Sequence, residues 1–295
     1  MPPPSQYSDL TDPSFLSCLE SLYLLARKVI GGELAADRRS NKRGSGIHFA
    51  DYAEYQFGDD YRQIDWKIYA RLENLFLKLY ELEEDVSINI LLDISPSMEH
   101  KLAYASKLAA ALGYIALSNQ DRLSLYGLSD RLSLLMDKSH GKGAIMKMLK
   151  SLAGAQLCGS NTSFSECIKY YCKRNPKPSV LVVISDFFFP SGYDEGLKLL
   201  RSSKNDVFCL QVLDPSELSC DYHGDVEIEC VESAQTKLMT LGPLERKRFA
   251  QVVQKWNEEL SVSCARHEMG FLQAFNSTPF EEVVQVLLRR GGLVS

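Results

Sequence analysis

The sequence predicts an α/β protein with a mostly parallel central sheet covered by helices on both faces. Two observations carry this. Three short apolar runs, VSINILLDI (86–94), PSVLVVISDFFF (178–189) and DVFCLQVLD (206–214), read as strands buried on both sides. Segments with helical periodicity alternate with them, as a parallel sheet requires of its crossovers. With 295 residues, 45% of them hydrophobic, the chain is long enough for one large domain or for one domain with an appendage.

The elements follow in order. Asp12 is an N-cap with Pro13 at the first helical position, and Phe15, Leu19, Leu22, Ala26 and Val29 fall on one helical face. Gly31 and Gly32 are expected to stop this helix after Ile30. The polar, basic stretch from Asp37 to Gly46 reads as an exposed loop, its charges Arg38, Arg39, Lys42 and Arg43 included. Residues 47–80 mix aromatics and charges around a Gly58-Asp59-Asp60 turn, and Leu75 to Leu82 alternates enough for a strand. After the first apolar run, Leu102, Ala105, Leu108, Ala109, Leu112 and Ile115 mark a helix. Two alternating runs flank an Asp130 turn. Helices are expected at 143–153, 163–174 and 193–205, then a long helix near Pro243 to Cys264, a strand GFLQAF and a last helix from Pro279 to Arg290.

Several classes of function are disfavoured. A net charge of -5 gives no support for general nucleic-acid binding, which needs a basic face. The start lacks a signal peptide, and the apolar stretch 15–30 is broken by Glu20, Arg27 and Lys28, so a membrane span is not expected. None of the eight cysteines forms a C-x-x-C pair, which disfavours structural zinc and suits reduced thiols in the cytoplasm. Gly141 to Ala144 is not a phosphate-cradling P-loop, His267-Glu268 lacks the second histidine of a zinc protease, and no G-x-S-x-G elbow appears.

Chemistry is expected outside the carboxyl ends of the strands. The first apolar run ends in DISPS, where Asp93, Ser95 and Ser97 are spaced two apart. In an extended loop such residues point to one side. The second ends in ISD, with Asp186 at its carboxyl end, and the Gly-containing stretch CGSNTSFSE presents Thr162 before a helix. Two carboxylates and three hydroxyls form an oxygen-only set, suited to magnesium or manganese rather than zinc or copper. The plainer reading is local capping: Ser95 before Pro96 is an ordinary helix start, and Thr162 with Glu166 is another.

D-x-S-x-S, a loop threonine and a strand-end aspartate together resemble the metal-ion-dependent adhesion site of von Willebrand factor A domains. GDDYRQIDWKIYAR, with the upstream GSGIHFADYAEYQ, resembles the hallmark of the bacterial "domain of unknown function 58" family, which carries it just before such a domain. The resemblance runs from about Leu19 to Arg290. It implies a von Willebrand factor A-like, Rossmann-like sheet at 83–295, a family-specific segment at 47–82, and an N-terminal helix with its basic loop at 1–46. It implies Ser95 and Ser97 as direct metal ligands, with Asp93, Thr162 and Asp186 coordinating directly or through water. A partner's acidic residue would complete the sphere. It also implies work alongside a MoxR-type AAA+ ATPase in chaperone-like assembly of other proteins. Many relatives start with two hydrophobic helices that this chain lacks, so a cytoplasmic form is expected.

The family segment admits two readings. Arg62, Asp65, Trp66 and Arg71 are expected to form a paired, partly buried network that pins the appendage to the sheet. Alternatively Gly58, Asp59, Asp60 and these residues form a docking surface. For the whole chain the expectation is a non-catalytic, divalent-metal-dependent protein-binding module. The alternative is a metal-dependent hydrolase using the same oxygen cage, with Glu99 the only nearby carboxylate to serve as base.

Overall fold

A computed structural model describes residues 9–33, 48–81, 86–159, 162–218, 224–229 and 236–289. In chain order the elements are α1 (Pro13–Glu33), β1 (His48–Glu54), α2 (Trp66–Leu72), β2 (Phe76–Glu81), β3 (Ser87–Asp93), α3 (Leu102–Ser118), β4 (Arg122–Leu128) and β5 (Ser133–His140). They continue with α4 (Ile145–Ala153), α5 (Phe164–Arg174), β6 (Val180–Ser185), α6 (Asp194–Ser202), β7 (Asp206–Leu213), β8 (Gly224–Glu229), β9 (Thr236–Leu241), α7 (Pro243–Arg266), β10 (Gly270–Phe275) and α8 (Phe280–Arg289). The chain divides into a larger unit, Met1–Val29 with Val86–Ser295, and a smaller one, Ile30–Asp85.

The larger unit is built on a six-stranded sheet in the order β10-β7-β6-β3-β4-β5. All neighbours are parallel except β4 and β5, whose antiparallel pairing follows from the short turn around Asp130. The three apolar runs are the central strands β3, β6 and β7, where both faces are covered and side chains are buried at nearly every position. At the edge, β5 fully buries Met136 alone of its eight residues, because its outer side meets no further strand. Leu91, Val183 and Cys209 form one core with Phe164 and Ile168 of α5, Leu197 and Leu200 of α6, and Leu260 of α7. On the other side α3 packs on β3, β4 and β6 and against α4 and α8. This is the mixed α/β architecture expected for a von Willebrand factor A-like domain: parallel strands, an antiparallel edge and helices on both faces.

In α1, Asp12 caps Ser14 as expected, and Phe15, Leu19, Leu22 and Ala26 are buried. Phe15 meets the Phe280 ring of α8 at 5.5 Å and Tyr23 meets Tyr114 of α3 at 6.4 Å, so this part of the helix belongs to the larger unit. One expectation is corrected. The glycines do not stop the helix at Ile30, which continues to Glu33. Glycine is a weak helix former, costing about 1 kcal/mol relative to alanine, but it does not remove a hydrogen bond as proline does. The basic stretch expected to be a loop, with Arg38, Arg39, Lys42 and Arg43, lies outside the described residues. So do Cys220 and Cys230, whereas the six remaining cysteines are free thiols. The β8–β9 ladder, in register from Gly224↔Leu241 to Glu229↔Thr236, was not anticipated by the periodicity of the sequence.

The smaller unit contains β1 and β2, paired antiparallel, with α2 between them in sequence. Strand β2 covers most of the expected 75–82 run.

Candidate functional site

Strand order reverses between β3 and β6: the chain leaves β3 for β4 on one side and reaches β6 on the other. Adjacent loops diverge at such a point and leave a crevice outside the carboxyl ends. Asp93 is the last residue of β3, and Ser185 and Asp186 end β6, so two buried carboxylates flank the crevice.

The turn after β3 is shaped by Asp93 itself, whose Oδ1 accepts from the Ser95 amide at 2.9 Å. Ser95 is extended (φ -68°, ψ 160°) and leads into a 3-10 turn, Pro96–Met98. Its side chain makes no capping bond. Its hydroxyl lies 3.0 Å from that of Ser97 instead. Ser95 thus holds the N-cap position with Pro96 following it, but its hydroxyl turns to Ser97 and not to the helix start. Ser95 is buried and Ser97 partly so.

The loop carrying Thr162 is laced to both strand ends. The Cys158 amide donates to the Ile94 carbonyl at 2.8 Å. Gly159 then takes φ +91°, and a side chain there would meet the Asp130 amide nitrogen at 2.9 Å, so the close approach needs glycine. Two residues beyond Thr162, Phe164 stacks on Phe189 at 4.9 Å and meets Phe187 at 6.0 Å, just after Asp186. Thr162 is buried. Glu166 pairs with Lys169 at 2.9 Å, and Ser163 is the N-cap of α5.

Three polar residues not singled out from the sequence complete the cluster. Ser185 donates to Asp93 Oδ2 at 2.5 Å. Lys101, itself buried, places Nζ 2.7 Å from Asp186 Oδ2 and also pairs with Glu217. The other oxygen of Asp186 accepts from the Phe188 amide at 3.0 Å. Glu217 is fixed by a capping box after β7: its Oε2 accepts from the Asp214 amide at 2.8 Å. Lys101 carried a local clue, because it stands just before α3 in helical step with Ala105, Leu108 and Leu112. Glu217 carried none, since its partner is 116 residues away.

The electrostatics are uneven. Burial, then the nearby charge of Asp186, push the Asp93 carboxyl up to about 7, against the hydrogen bonds from Ser185 and Ser95. For Lys101 burial opposes the charged amine, but the Asp186 and Glu217 carboxylates outweigh it and raise its pKa.

The donor set fits a hard divalent cation. The groups gathered at the strand ends, Asp93, Ser95, Ser97 and Asp186, carry oxygen donors. Two buried carboxylates that repel each other, with hydroxyls beside them, are what an oxygen-seeking ion would relieve. Glu99 is exposed at the end of the 3-10 turn.

The family segment departs from expectation. Asp65 is buried and is the anchor of the smaller unit. It caps α2 through the Lys67 amide at 2.9 Å, accepts from Tyr52 at 3.2 Å and pairs with Lys78 at 3.3 Å. These bonds hold its pKa down despite the burial that opposes them. Trp66, however, is 60% exposed, and Arg62 and Arg71 are exposed too, so of the four residues expected to form a paired, partly buried network Asp65 alone is buried. Trp66 is the first residue of α2 and its ring packs edge-on against Tyr69, one turn along. Asp60 caps the Arg62 amide at 3.0 Å, Asp59 accepts from the Gln56 amide at 3.0 Å, and Gly58 takes φ +112° in the turn.

The fold is thus that of a von Willebrand factor A-like sheet with polar residues gathered at its switch point. Residues 51–259 match the family model described as "Protein of unknown function DUF58", and the chain belongs to that family. An uncharacterized protein of Mycobacterium tuberculosis, Rv1480, is 23% identical over 258 residues, 85% of this chain and 81% of the relative. Among solved structures, the conserved hypothetical protein BatB from Bacteroides thetaiotaomicron aligns with 14% identity and a TM-score of 0.43, covering 70% of this chain and 98% of that one. A von Willebrand factor type A structure from Catenulispora acidiphila aligns with 8% identity and a TM-score of 0.38, covering 74% of this chain and 44% of that one. No helix among the described residues is long and apolar enough to cross a membrane.

Proposed function

We propose that this chain is a non-catalytic protein-binding module whose grip depends on a divalent cation, magnesium or manganese. The observation that carries the reading is the pairing of two buried carboxylates, Asp93 and Asp186, at the switch point, beside the Ser95 and Ser97 hydroxyls 3.0 Å apart. Ser95, Ser97 and Thr162 would supply neutral oxygens and the aspartates charge. The ion, when bound, would offer an open coordination position to an acidic residue of a partner. The chain's own part is to hold the cage: the Ser95 amide and Ser185 orient Asp93, and the Phe188 amide orients Asp186. The partner we propose is a MoxR-type AAA+ ATPase, with the chain as its cytoplasmic adaptor in chaperone-like assembly of other proteins; this rests on the family resemblance. Hydrolysis is not favoured by any specific feature, since Glu99 points to no buried proton-transfer role at its exposed position.

The test is capture of a purified MoxR-type ATPase by the full chain. Binding in magnesium, release by EDTA, and loss in Thr162→Ala and Asp186→Ala with unchanged circular dichroism are expected. Folded mutants that capture the ATPase at wild-type strength would contradict the adaptor mechanism.

A further inference from the structure

Lys101 is the one fully buried lysine or arginine among the described residues. It is among the largest fully buried side chains, at 1% exposure, and its ammonium lies in the same crevice as the proposed cation. Its Nζ takes Asp186 Oδ2 at 2.7 Å, pairs with Glu217, and sits 5.9 Å over the Phe188 ring. Asp186 is therefore already neutralised by a cation belonging to the chain, whereas Asp93 is held only by hydroxyl and amide donors.

Charge arithmetic gives this arrangement a consequence. Lys101 and Glu217 cancel one another, which leaves the two negative charges of Asp93 and Asp186, the complement of one divalent ion. Removing the lysine adds a net negative charge beside the ion, and neutralising Glu217 removes one. Position supports the same division of roles. Glu217 is anchored independently by the Asp214 amide and is partly open to solvent, with 29% of its side chain exposed, so it stands ready to keep the ammonium if Asp186 turns toward a metal.

We propose that Lys101 is the resident cation of this site: it holds Asp186 in the metal-free protein, competes with a divalent ion for that carboxylate, and is retained by Glu217 when the ion binds. The proposal rests on the cation-site reading above and adds a built-in control of its affinity. It makes Lys101 and Glu217 positioning residues that tune the site in opposite directions. A merely structural ion pair would not do this, because breaking it from either side would disturb the site in the same sense.

The experiment is titration of the full chain with Mn²⁺ alone, followed by calorimetry and by the manganese electron paramagnetic resonance signal, with melting curves taken in parallel. Lys101→Met, which keeps the length and apolar stem, should bind Mn²⁺ about tenfold or more tightly than wild type, because a full positive charge has left the neighbourhood of the ion. Glu217→Gln, which keeps the oxygen that accepts from Asp214, should bind several-fold more weakly, since the ammonium then rests on Asp186 alone. If wild type binds Mn²⁺ and Lys101→Met binds it equally or less well, the resident-cation role is wrong and the cation site stands. If wild type is silent and Lys101→Met binds, the role is supported in its strongest form. If neither binds, both readings fall. Should Lys101→Met not fold, the sign of the Glu217→Gln shift decides: unchanged or tighter binding overturns the proposal.

Discussion

The two units of this chain dispose of polarity in opposite ways. In the larger unit three charged side chains are inside, Asp93 and Asp186 at strand ends and Lys101 at the start of α3, and the aromatics Phe164, Phe187 and Phe189 pack together, close in sequence to Thr162 and Asp186. Among the described residues of the smaller unit Asp65 is the one buried carboxylate, and the aromatics Phe57, Tyr61 and Trp66 are exposed. Burying charge is expensive unless every group is paired, and well-packed apolar residues would stabilise a fold as well or better. The strand-end cluster is therefore best understood through what it binds, and the exposed rings of the smaller unit through what they contact rather than through the stability they add.

The sharpest way to break this contrast is to unpair the buried charges. Lys101→Ala in EDTA leaves two carboxylates without their cation and should cost about 3–5 kcal/mol in chemical denaturation. A loss below about 1 kcal/mol would mean that the cluster is far better solvated than its burial implies.

A pH series addresses the other carboxylate. With its folded pKa pushed up to about 7, Asp93 retains its proton in the native state well above the range in which the unfolded chain loses it. This contribution is fully present below about pH 4, the unfolded value, and is lost as pH rises through the folded one. Cation-free protein should accordingly lose stability across that window, and Asp93→Asn should flatten the loss. An identical pH profile in the mutant would contradict the role given to burial and to Asp186.

In the smaller unit Asp65→Ala should act locally. Hydrogen exchange at the Lys67 and Ile68 amides should accelerate, because both lose their cap, while the amides of β3 and β6 stay protected. The smallest effect is expected at Trp66. An exposed ring that touches mainly Tyr69 should cost no more than about 0.5 kcal/mol when truncated to alanine. A loss of several kcal/mol would restore the network first expected from the sequence and erase the contrast between the units.

How far the sequence could be read depended on the range of the forces involved. The buried strands were legible because parallel strands covered on both faces need continuous apolar runs, and the strand-end places of Asp93 and Asp186 followed from where those runs stop. Ser185 was hidden by its ordinary character, since its role depends on Asp93, 92 residues away. Lys101 stands just before α3, in helical step with its apolar stripe, a local clue, but its partners arrive from just after β6 and from the turn after β7. Trp66 misled because large aromatics are usually core. Its place directly after the N-cap Asp65, in the first turn of a seven-residue helix, left it facing outward. The glycines after Ile30 misled in the other direction, as weak helix formers that the helix tolerates.

The central claim is that the strand-end cage holds a divalent cation, and the most direct measurement is the melting temperature of the full chain in EDTA, in Mg²⁺ and in Mn²⁺, for wild type and for Ser97→Ala. Ser97 is only partly buried and its hydroxyl meets Ser95, so the substitution should leave the EDTA melting curve almost unchanged. Wild type should melt higher with either ion, by the equivalent of about 2.7 kcal/mol at a hundred times the dissociation constant, and Ser97→Ala should lose most of that gain. A wild-type curve indifferent to both ions at millimolar concentration, or a Ser97→Ala curve that responds as fully as wild type, would contradict the account.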